Sequence, residues 1–270
     1  MNLIFSFSKR IGDYGGGRYT LLDKNDHVLD LYKVSMQRAK NLGHSIKFYG
    51  CSSSLRYLKG FYDTSVNIDN IDLIITDDLK IYIHSQEKLG AITIDGDIIL
   101  SKKLRIQETA DITLEQKEIF VPNSPWQTES LFKIIDVFKK YNIDTKFNNF
   151  SFTPNYLFNV GILQFKNESV KNLFISSYYK LRNYYLENIE PIEKLIPQGL
   201  IVSTVICQYY FTSICEILNI KVSFTDRIQE NKYIHLNGQF KFNNNKIIKT
   251  LLKEIDGEIK LNSYIKRTLL

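Results

Sequence analysis

Apolar residues recur along the chain in two patterns, short continuous runs and longer stretches with helical spacing. The short runs are rich in β-branched and aromatic residues and predict strands at 3–8, 45–49, 91–100, 111–115, 157–165, 220–224 and 233–236. Helical spacing predicts helices at 27–42, 52–58, 77–89, 128–141, 169–187, 199–218 and 245–255. Gly43 and Gly90 are typical C-terminal stops for two of these helices, and Ser52 is a candidate N-cap.

The order of these elements predicts the fold class. Strands that alternate with helices favour an α/β fold, with a Rossmann-like, mainly parallel central sheet flanked by helices on both faces. The sequence contains no internal repeat or low-complexity linker, so we expect a single domain over 1–270, with 245–270 as a C-terminal amphipathic helical extension. Open sheets of this kind bind ligands at the carboxyl ends of their strands.

Composition adds three constraints. No segment approaches the roughly 18 to 20 uncharged apolar residues that span a bilayer. The three cysteines, Cys51, Cys207 and Cys215, are odd in number and widely spaced, which favours core packing in a reducing cytoplasm over disulfides or a zinc site. The net charge of +6 is compatible with anionic partners, but a general lysine bias explains it equally well. We therefore expect a soluble cytoplasmic protein.

Two aspartates stand at the end of an otherwise hydrophobic strand, in the segment Ile94-Asp95-Gly96-Asp97-Ile98. Buried carboxylates need a partner, and residues two apart in an extended chain point the same way. Oxygen ligands suit hard cations such as Mg²⁺ and Mn²⁺, and the intervening glycine permits close approach of a bulky ligand. Asp-Gly is also common in tight turns, but the apolar flanks favour a metal site at Asp95 and Asp97.

Two further segments carry candidate chemistry. His235 opens a His-x-x-Gly-x-x-Lys pattern that continues through Gly238 to Lys241; histidine is a versatile metal ligand, and a glycine loop with a lysine suits a diphosphate. Asn159 and Gly161 stand in the apolar strand segment Phe-Asn-Val-Gly, where they either contact a sugar or form a bulge. His235 could instead have a purely structural role, but its occurrence together with the two aspartates favours a metal ligand.

The three segments together resemble the GT-A glycosyltransferases, in particular glycosyltransferase family 8. That family has an Asp-x-Asp after a hydrophobic strand, then a Phe-Asn-x-Gly strand, then a late His-x-x-Gly-x-x-Lys. This chain has them in the same order as IDGD, FNVG and HLNGQFK. The stretch 78–104 also looks like an uncharacterised bacterial group of GT-A-like proteins. The resemblance implies transfer of a sugar from a nucleotide-sugar donor, expected to be a UDP-sugar, to an acceptor hydroxyl.

The resemblance also assigns roles to individual residues. Asp95, Asp97 and His235 would bind Mn²⁺ or Mg²⁺, and Asp95 and Asp97 would thereby act in catalysis. The donor would contact residues from four segments: Phe7, Ser8, Lys80, Asn159, Gly161, Gly238 and Lys241. A solvated helix lysine is the alternative for Lys80. The family has a catalytic amide at the start of a late helix, and Gln208 is its counterpart in this chain.

The chain departs from the family at two points. Cys207 stands where an acidic residue usually precedes the amide, and the tryptophan that often follows the final lysine is absent. An inverting reaction would need a base, for which Glu115, Glu118 and Glu129 are candidates. A retaining reaction, which the resemblance favours, needs none because the departing phosphate takes the acceptor proton.

Rival functions remain open at the level of sequence. A nucleotidyltransferase acting on a sugar phosphate also uses paired aspartates and a cation. A non-catalytic nucleotide-sugar-binding protein on the same scaffold would explain Cys207. The acceptor is a saccharide, a lipid-linked glycan or a protein, and no basic helix or stacking motif suggests nucleic acid. The helix within 245–270 either packs on its own domain or makes a peripheral contact with the inner face of the membrane.

Overall fold

The computed structural model describes residues 1–7, 27–73, 78–119, 156–187, 207–208, 210–228, 230–236, 250 and 253. Its nine strands are β1 Asn2–Phe7, β2 Ser45–Gly50, β3 Thr64–Asn67, β4 Ile92–Ile94, β5 Ile98–Leu100, β6 Ile112–Ile119, β7 Tyr156–Phe165, β8 Val222–Phe224 and β9 Tyr233–His235. Its five α-helices are α1 His27–Asn41, α2 Ser52–Tyr57, α3 Asp78–Gln86, α4 Glu168–Glu187 and α5 Tyr210–Ile217. A 3₁₀ turn follows β8 at Thr225–Arg227.

The described strands form a seven-stranded sheet in the order β3-β2-β1-β4-β7-β6-β8 and a separate pair, β5 with β9. Neighbours in the large sheet are parallel except where β7 pairs with β4 and β6. Strand β7 therefore runs against the other six, and the mainly parallel α/β sheet predicted from the sequence is confirmed. The carboxyl ends of β4, β6 and β8 meet at one edge of the sheet.

Strand β1 shows why the sheet needs helices on both faces. Leu3 and Phe5 point into a cluster that contains Met36 of α1. Ile4, between them, points into a second cluster with Leu79 and other residues of α3. Successive side chains of a strand alternate between faces, so an almost uninterrupted apolar strand needs apolar cover on each side.

A third cluster joins β6 and β7 to the helices of the second half. Phe165 of β7 packs against Phe174 of α4 and Phe211 of α5, with ring centroids 5.7 and 6.0 Å apart. Cys207 and Cys215 lie buried in the same cluster and form no disulfide, as their apolar surroundings predicted. Helix α5 buries its residues from Tyr210 to Cys215, whereas Ile217 is exposed at its end.

The ends of the helices follow the sequence in two cases and differ in a third. Gly43 and Gly90 both adopt positive φ angles, 78° and 87°, after α1 and α3, as predicted. The prediction that Ser52 caps α2 is wrong, because the N-cap residue is Cys51, whose side chain makes no capping hydrogen bond. The Ser52 hydroxyl instead donates to the Asp69 carboxylate, which draws it away from the helix end.

The predicted helix at 128–141 lies outside the described residues, and only residues 250 and 253 of the predicted extension at 245–270, which includes the helix at 245–255, are described. None of the described helices combines the length and the apolar character needed to cross a lipid bilayer.

Candidate metal centre

The Asp-Gly-Asp segment is the link between β4 and β5 at the carboxyl edge of the sheet. The Asp95 backbone N–H donates to the Gly161 carbonyl of β7 at 2.8 Å, and the Ile98 N–H donates back to the Asp95 carbonyl at 3.1 Å. The first bond continues the β4–β7 ladder by one residue, and the second closes a tight turn. The backbone thus fixes where both aspartates stand.

Strand β9 brings His235 to this turn from far along the chain. Ile98 of β5 pairs with His235 in an antiparallel register, and the Leu236 N–H donates to the Asp97 carbonyl at 3.0 Å. One ligand atom from each of Asp95, Asp97 and His235 lies within 4.8 Å of the others. The three residues that the sequence selected as metal ligands are therefore brought together.

Gly96 is required by a neighbour within the protein. A Cβ at this position would lie closer than 3.0 Å to the ring of Tyr32 on α1. The Tyr32 hydroxyl donates to the Ser6 carbonyl at 2.8 Å, which holds the ring in place. The expectation that Gly96 leaves room for a ligand is thus replaced by a packing role, because the ring of Tyr32 occupies that space.

Lys80 is buried in the site, so the alternative of a solvated helix lysine is wrong. Its side chain is only 10% exposed, and its ammonium lies 2.7 Å from an Asp95 carboxylate oxygen. It also donates to the Val160 carbonyl at 2.7 Å. Lys80 therefore places a fixed positive charge beside the first aspartate.

His235 lies between two carboxylates. Its Nε2 is 3.4 Å from an Asp97 oxygen and its Nδ1 is 2.8 Å from a Glu115 oxygen. Burial lowers the pKa of the imidazole, but the hydrogen bonds to Asp97 and Glu115 outweigh it and raise the pKa to about 10. Without a cation the ring is therefore protonated at neutral pH, with one proton toward each carboxylate.

Glu115 of β6 has no exposed surface and lies behind His235. Burial raises the pKa of its carboxyl group, and the hydrogen bond from His235 opposes that shift. The sequence suggested Glu115 as a candidate base for the acceptor hydroxyl. In the structure its carboxylate is buried and hydrogen-bonded to His235, so it is not available to an acceptor. We therefore retain only Glu118 and Glu129 as candidate bases, of which Glu129 lies outside the described residues.

Asn159 and Gly161 lie on β7 next to the aspartates. The Asn159 side-chain oxygen accepts from the Gly161 N–H at 2.8 Å, and its amide N–H donates to Glu118 at 2.6 Å. Leu114 pairs with Leu163 and Gln116 with Asn159, so Glu115 alone lies opposite three residues of β7, 160–162. The irregularity expected around this motif is therefore on β7 itself and includes Gly161. Contact of Asn159 or Gly161 with a sugar stays a prediction.

Of the remaining predicted site residues, the structure describes two, Phe7 and Gln208. Phe7 is 4% exposed and packs edge-on against Tyr32, with ring centroids 5.6 Å apart. Gln208 lies just before α5, where its carbonyl accepts from the Thr212 hydroxyl at 2.7 Å. Three predicted donor-binding residues, Ser8, Gly238 and Lys241, lie outside the described residues.

Comparison with known proteins gives remote structural likenesses only. No protein-family model matches the chain, and no curated protein sequence matches it. Among solved structures, the galactosyltransferase LgtC, in complex with donor and acceptor sugar analogs, is 12% identical, with a TM-score of 0.43 over 77% of this chain and 71% of that one.

Two further likenesses are of the same kind. The glycosyltransferase GlyE of Streptococcus pneumoniae is 13% identical, with a TM-score of 0.39 over 82% of this chain and 44% of that one. Mouse xyloside xylosyltransferase 1 is 12% identical, with a TM-score of 0.34 over 84% and 79%. Likenesses this remote carry no weight for activity, so the functional argument depends on the geometry of the site.

Proposed function

We propose that this chain is a metal-dependent glycosyltransferase of the GT-A type, which transfers a sugar from a nucleotide-sugar donor, expected to be a UDP-sugar, to an acceptor hydroxyl. One observation carries the proposal. Two aspartates and a histidine from distant parts of the chain converge within 4.8 Å at the carboxyl edge of a mainly parallel sheet. Ligands of open α/β sheets bind at that edge.

The ligand set of Asp95, Asp97 and His235 fits Mn²⁺ or Mg²⁺. Two ligand atoms that share a small divalent cation each lie about 2.0 to 2.3 Å from it, so they are at most about 4.6 Å apart. A spread of 4.8 Å before binding needs only a small adjustment. Carboxylates suit both cations, and the imidazole favours the softer Mn²⁺. Such a cation, when bound, neutralises the charge that grows on a departing diphosphate.

The residues of the chain have distinct tasks in this proposal. Asp95, Asp97 and His235 hold the cation, and the ammonium of Lys80 adds a positive charge on the Asp95 side. By the resemblance in sequence, Gly238 and Lys241 contact the diphosphate and Asn159 the sugar. The same resemblance favours retention of anomeric configuration. The departing phosphate then receives the proton of the acceptor hydroxyl, and no carboxylate base is needed.

Thermal unfolding with Mn²⁺ and a panel of nucleotide sugars tests the donor site. A ligand that binds only the folded chain raises the unfolding midpoint by mass action. We expect a metal-dependent rise with one donor, its loss in Asp95→Ala and Asp97→Ala, and its retention in Asp72→Ala, which removes an exposed aspartate. The absence of a rise with every donor would refute the glycosyltransferase proposal.

The products distinguish the rival functions. Release of nucleoside diphosphate from the bound donor is expected of the glycosyltransferase, including slow transfer to water. Release of pyrophosphate during incubation with a sugar phosphate and a nucleoside triphosphate would instead identify a nucleotidyltransferase. Donor binding without either product would identify a non-catalytic nucleotide-sugar-binding protein, the outcome that Cys207 in place of an acidic residue favours.

The proposed acceptor is a saccharide, a lipid-linked glycan or a protein. The amphipathic pattern at 245–270 suggests a peripheral contact with a membrane that carries lipid-linked acceptors. Co-sedimentation with anionic vesicles, compared between the full chain and a variant with the lysines of 246–253 replaced by glutamine, tests that contact.

A further inference from the structure

We propose that Glu115 is a positioning residue for the metal centre: its carboxylate holds the His235 imidazole in the tautomer and orientation that present Nε2 to the cation. The inference rests on the proposed function, since it assigns a task within the same metal site. Glu115 belongs to none of the three sequence motifs, and its carboxylate contacts the cluster through His235.

The hydrogen bond itself has the geometry that such a role requires. Glu115 Oε1 lies 2.8 Å from Nδ1 of His235, whereas Nε2, the other ring nitrogen, faces Asp97. An ionised carboxylate only accepts, so Nδ1 carries the proton that it donates to Glu115. The lone pair left for a cation is then on Nε2, the nitrogen on the aspartate side. Metal-ligating histidines commonly depend on such an outer hydrogen bond.

The surroundings of Glu115 keep its side chain fixed. Its backbone carbonyl accepts from the Thr225 hydroxyl at 3.0 Å and from the Tyr233 hydroxyl at 3.3 Å. Tyr233 belongs to β9, the strand that carries His235, so the two strands are tied together near the His235–Glu115 contact. The side chain itself has no exposed surface. A carboxylate enclosed in this way has few other conformations available.

Stability alone is a poor explanation for the burial of Glu115. Removing a carboxylate from water costs several kcal/mol, and attraction to one imidazole seldom repays it fully. Its second oxygen, Oε2, has no hydrogen-bond partner among the described residues. A buried acceptor left unpaired is costly, so the placement suits a residue retained for what it does to His235.

Gly161 supplies the space that Glu115 occupies. A Cβ at Gly161 would lie closer than 3.0 Å to Glu115 Oε2. The glycine of the Phe-Asn-Val-Gly motif thus accommodates the carboxylate that orients the histidine of the third motif. This contact gives Gly161 a function in the metal centre that requires no contact with the sugar.

The test measures Mn²⁺ affinity directly, by the electron paramagnetic resonance signal of free Mn²⁺ in titrations without donor. Glu115→Gln removes the charge with little change in shape, and we expect affinity to fall about 10- to 100-fold, as for other outer partners of ligating histidines. Glu87→Gln is the matched control: Glu87 is a half-buried carboxylate that pairs with Lys47 and Tyr49 away from the site. Its Mn²⁺ affinity should equal that of the wild type.

A second variant approaches the same contact from the other side. Gly161→Ala changes neither Glu115 nor any proposed ligand in the sequence, but its methyl group displaces the Glu115 carboxylate, so we expect a similar loss of Mn²⁺ affinity. Wild-type affinity in a folded Glu115→Gln variant would overturn the positioning role and leave the metal site intact. Absence of Mn²⁺ binding in the wild type would overturn both this inference and the proposed function.

The wild-type chain provides a readout that needs no folded variant. The sequence has only four histidines, so ¹⁵N spectra of labelled imidazoles are simple to assign. With the diamagnetic ion Cd²⁺ bound, we expect His235 to be protonated at Nδ1, with the shift of a strong hydrogen bond to a carboxylate. Protonation at Nε2, or an Nδ1 proton that exchanges as if exposed to water, would overturn the inference.

Discussion

The ammonium of Lys80 lies 2.7 Å from a carboxylate oxygen of Asp95, so helix α3 delivers a positive charge to the first aspartate of the candidate metal centre. Both partners are drawn to the carboxyl edge of the sheet, Lys80 by the Val160 carbonyl and Asp95 by the Gly161 carbonyl. The lysine and a bound cation would compete for the Asp95 carboxylate. Asp95 is therefore already paired with a positive charge before any metal or donor arrives.

This competition gives a prediction for Lys80→Met. Loss of the ammonium removes repulsion toward a cation, so we expect Mn²⁺ affinity without donor to rise several-fold, on the order of 1 kcal/mol. The matched control is Lys171→Met, since Lys171 is also a buried lysine that donates to a backbone carbonyl, that of Glu87, away from the site. Free-Mn²⁺ titrations measure both variants. Unchanged or weaker binding in Lys80→Met would contradict the prediction.

Gly96→Ala should destabilise the fold through Tyr32. The added methyl group would overlap the tyrosine ring, and overpacking of this kind costs about 1 to 3 kcal/mol. Urea unfolding of Gly96→Ala, Tyr32→Leu and the double variant completes a mutant cycle. We expect Gly96→Ala to cost less when Tyr32 is leucine, with a coupling of about 1 kcal/mol or more. Strict additivity would show that the ring does not impose the glycine.

Asp78 should contribute strongly to stability. Its carboxylate is buried at the start of α3 and accepts from the Tyr178 hydroxyl and from Arg182 Nε, both at 2.8 Å. Asp78→Ala leaves the Arg182 guanidinium buried without this partner, which typically costs about 3 to 5 kcal/mol.

The controls for Asp78 separate charge from packing. Exposed Asp72→Ala should change the free energy of unfolding by no more than about 0.5 kcal/mol. The double variant Asp78→Ala/Arg182→Met should be more stable than Asp78→Ala alone, because it removes the uncompensated charge. If the double variant were the less stable of the two, Arg182 would stabilise the fold by means other than its pairing with Asp78.

His84 should make the protein sensitive to acid. Burial lowers its pKa to about 3, with further lowering by the positive charges of Lys80 and Lys171. Its ring contacts the Thr93 hydroxyl at 2.9 Å and the edge or face of Phe165, with centroids 5.1 Å apart. The unfolded chain takes up a proton near pH 6.5, where the folded chain does not. Stability from neutral His84 is thus complete above pH 6.5 and is lost as pH falls from 6.5 toward 3.

The measurement is the free energy of unfolding in urea between pH 7.5 and 4.5. One proton contributes a slope of up to about 1.4 kcal/mol per pH unit in this window. We expect His84→Gln, which stays neutral, to have a slope smaller by about that amount below pH 6. Parallel curves for the two proteins would mean that His84 takes up its proton in the folded state.

Most strands, and the two aspartates of the candidate metal centre, were predictable because their signals are local. Strand β3 was not predicted, and the apolar run at 91–100 is two strands, β4 and β5, in different sheets. An apolar run interrupted only by Asp95-Gly96-Asp97 marks a buried strand and its carboxyl end together. The reversed direction of β7 was not predictable. An apolar pattern shows that a segment is a strand but not whether it runs parallel or antiparallel to its neighbours, and that direction depends on the connection between β6 and β7.

The burial of charged groups was the other feature that sequence reasoning missed. Lys80 follows the helical pattern of a solvated lysine, and only Val160 and Asp95, distant in sequence, reveal its position. Glu115 did leave a signal. It shares a face of β6 with Thr113, and an interior strand of a sheet covered on both sides exposes neither face. A carboxylate there must have a partner inside the protein.

The short β5–β9 ladder has a consequence for how the chain acquires its site. It joins Ile98 to His235 across about half of the sequence, so one ligand arrives only after the ends of a very long loop have met. The two aspartates can be in place while the histidine is still absent, on a nascent chain as well as during refolding. In a refolding experiment, cation binding should therefore begin later than the pairing of β1 with β4. Its onset would report the time at which β9 joins β5.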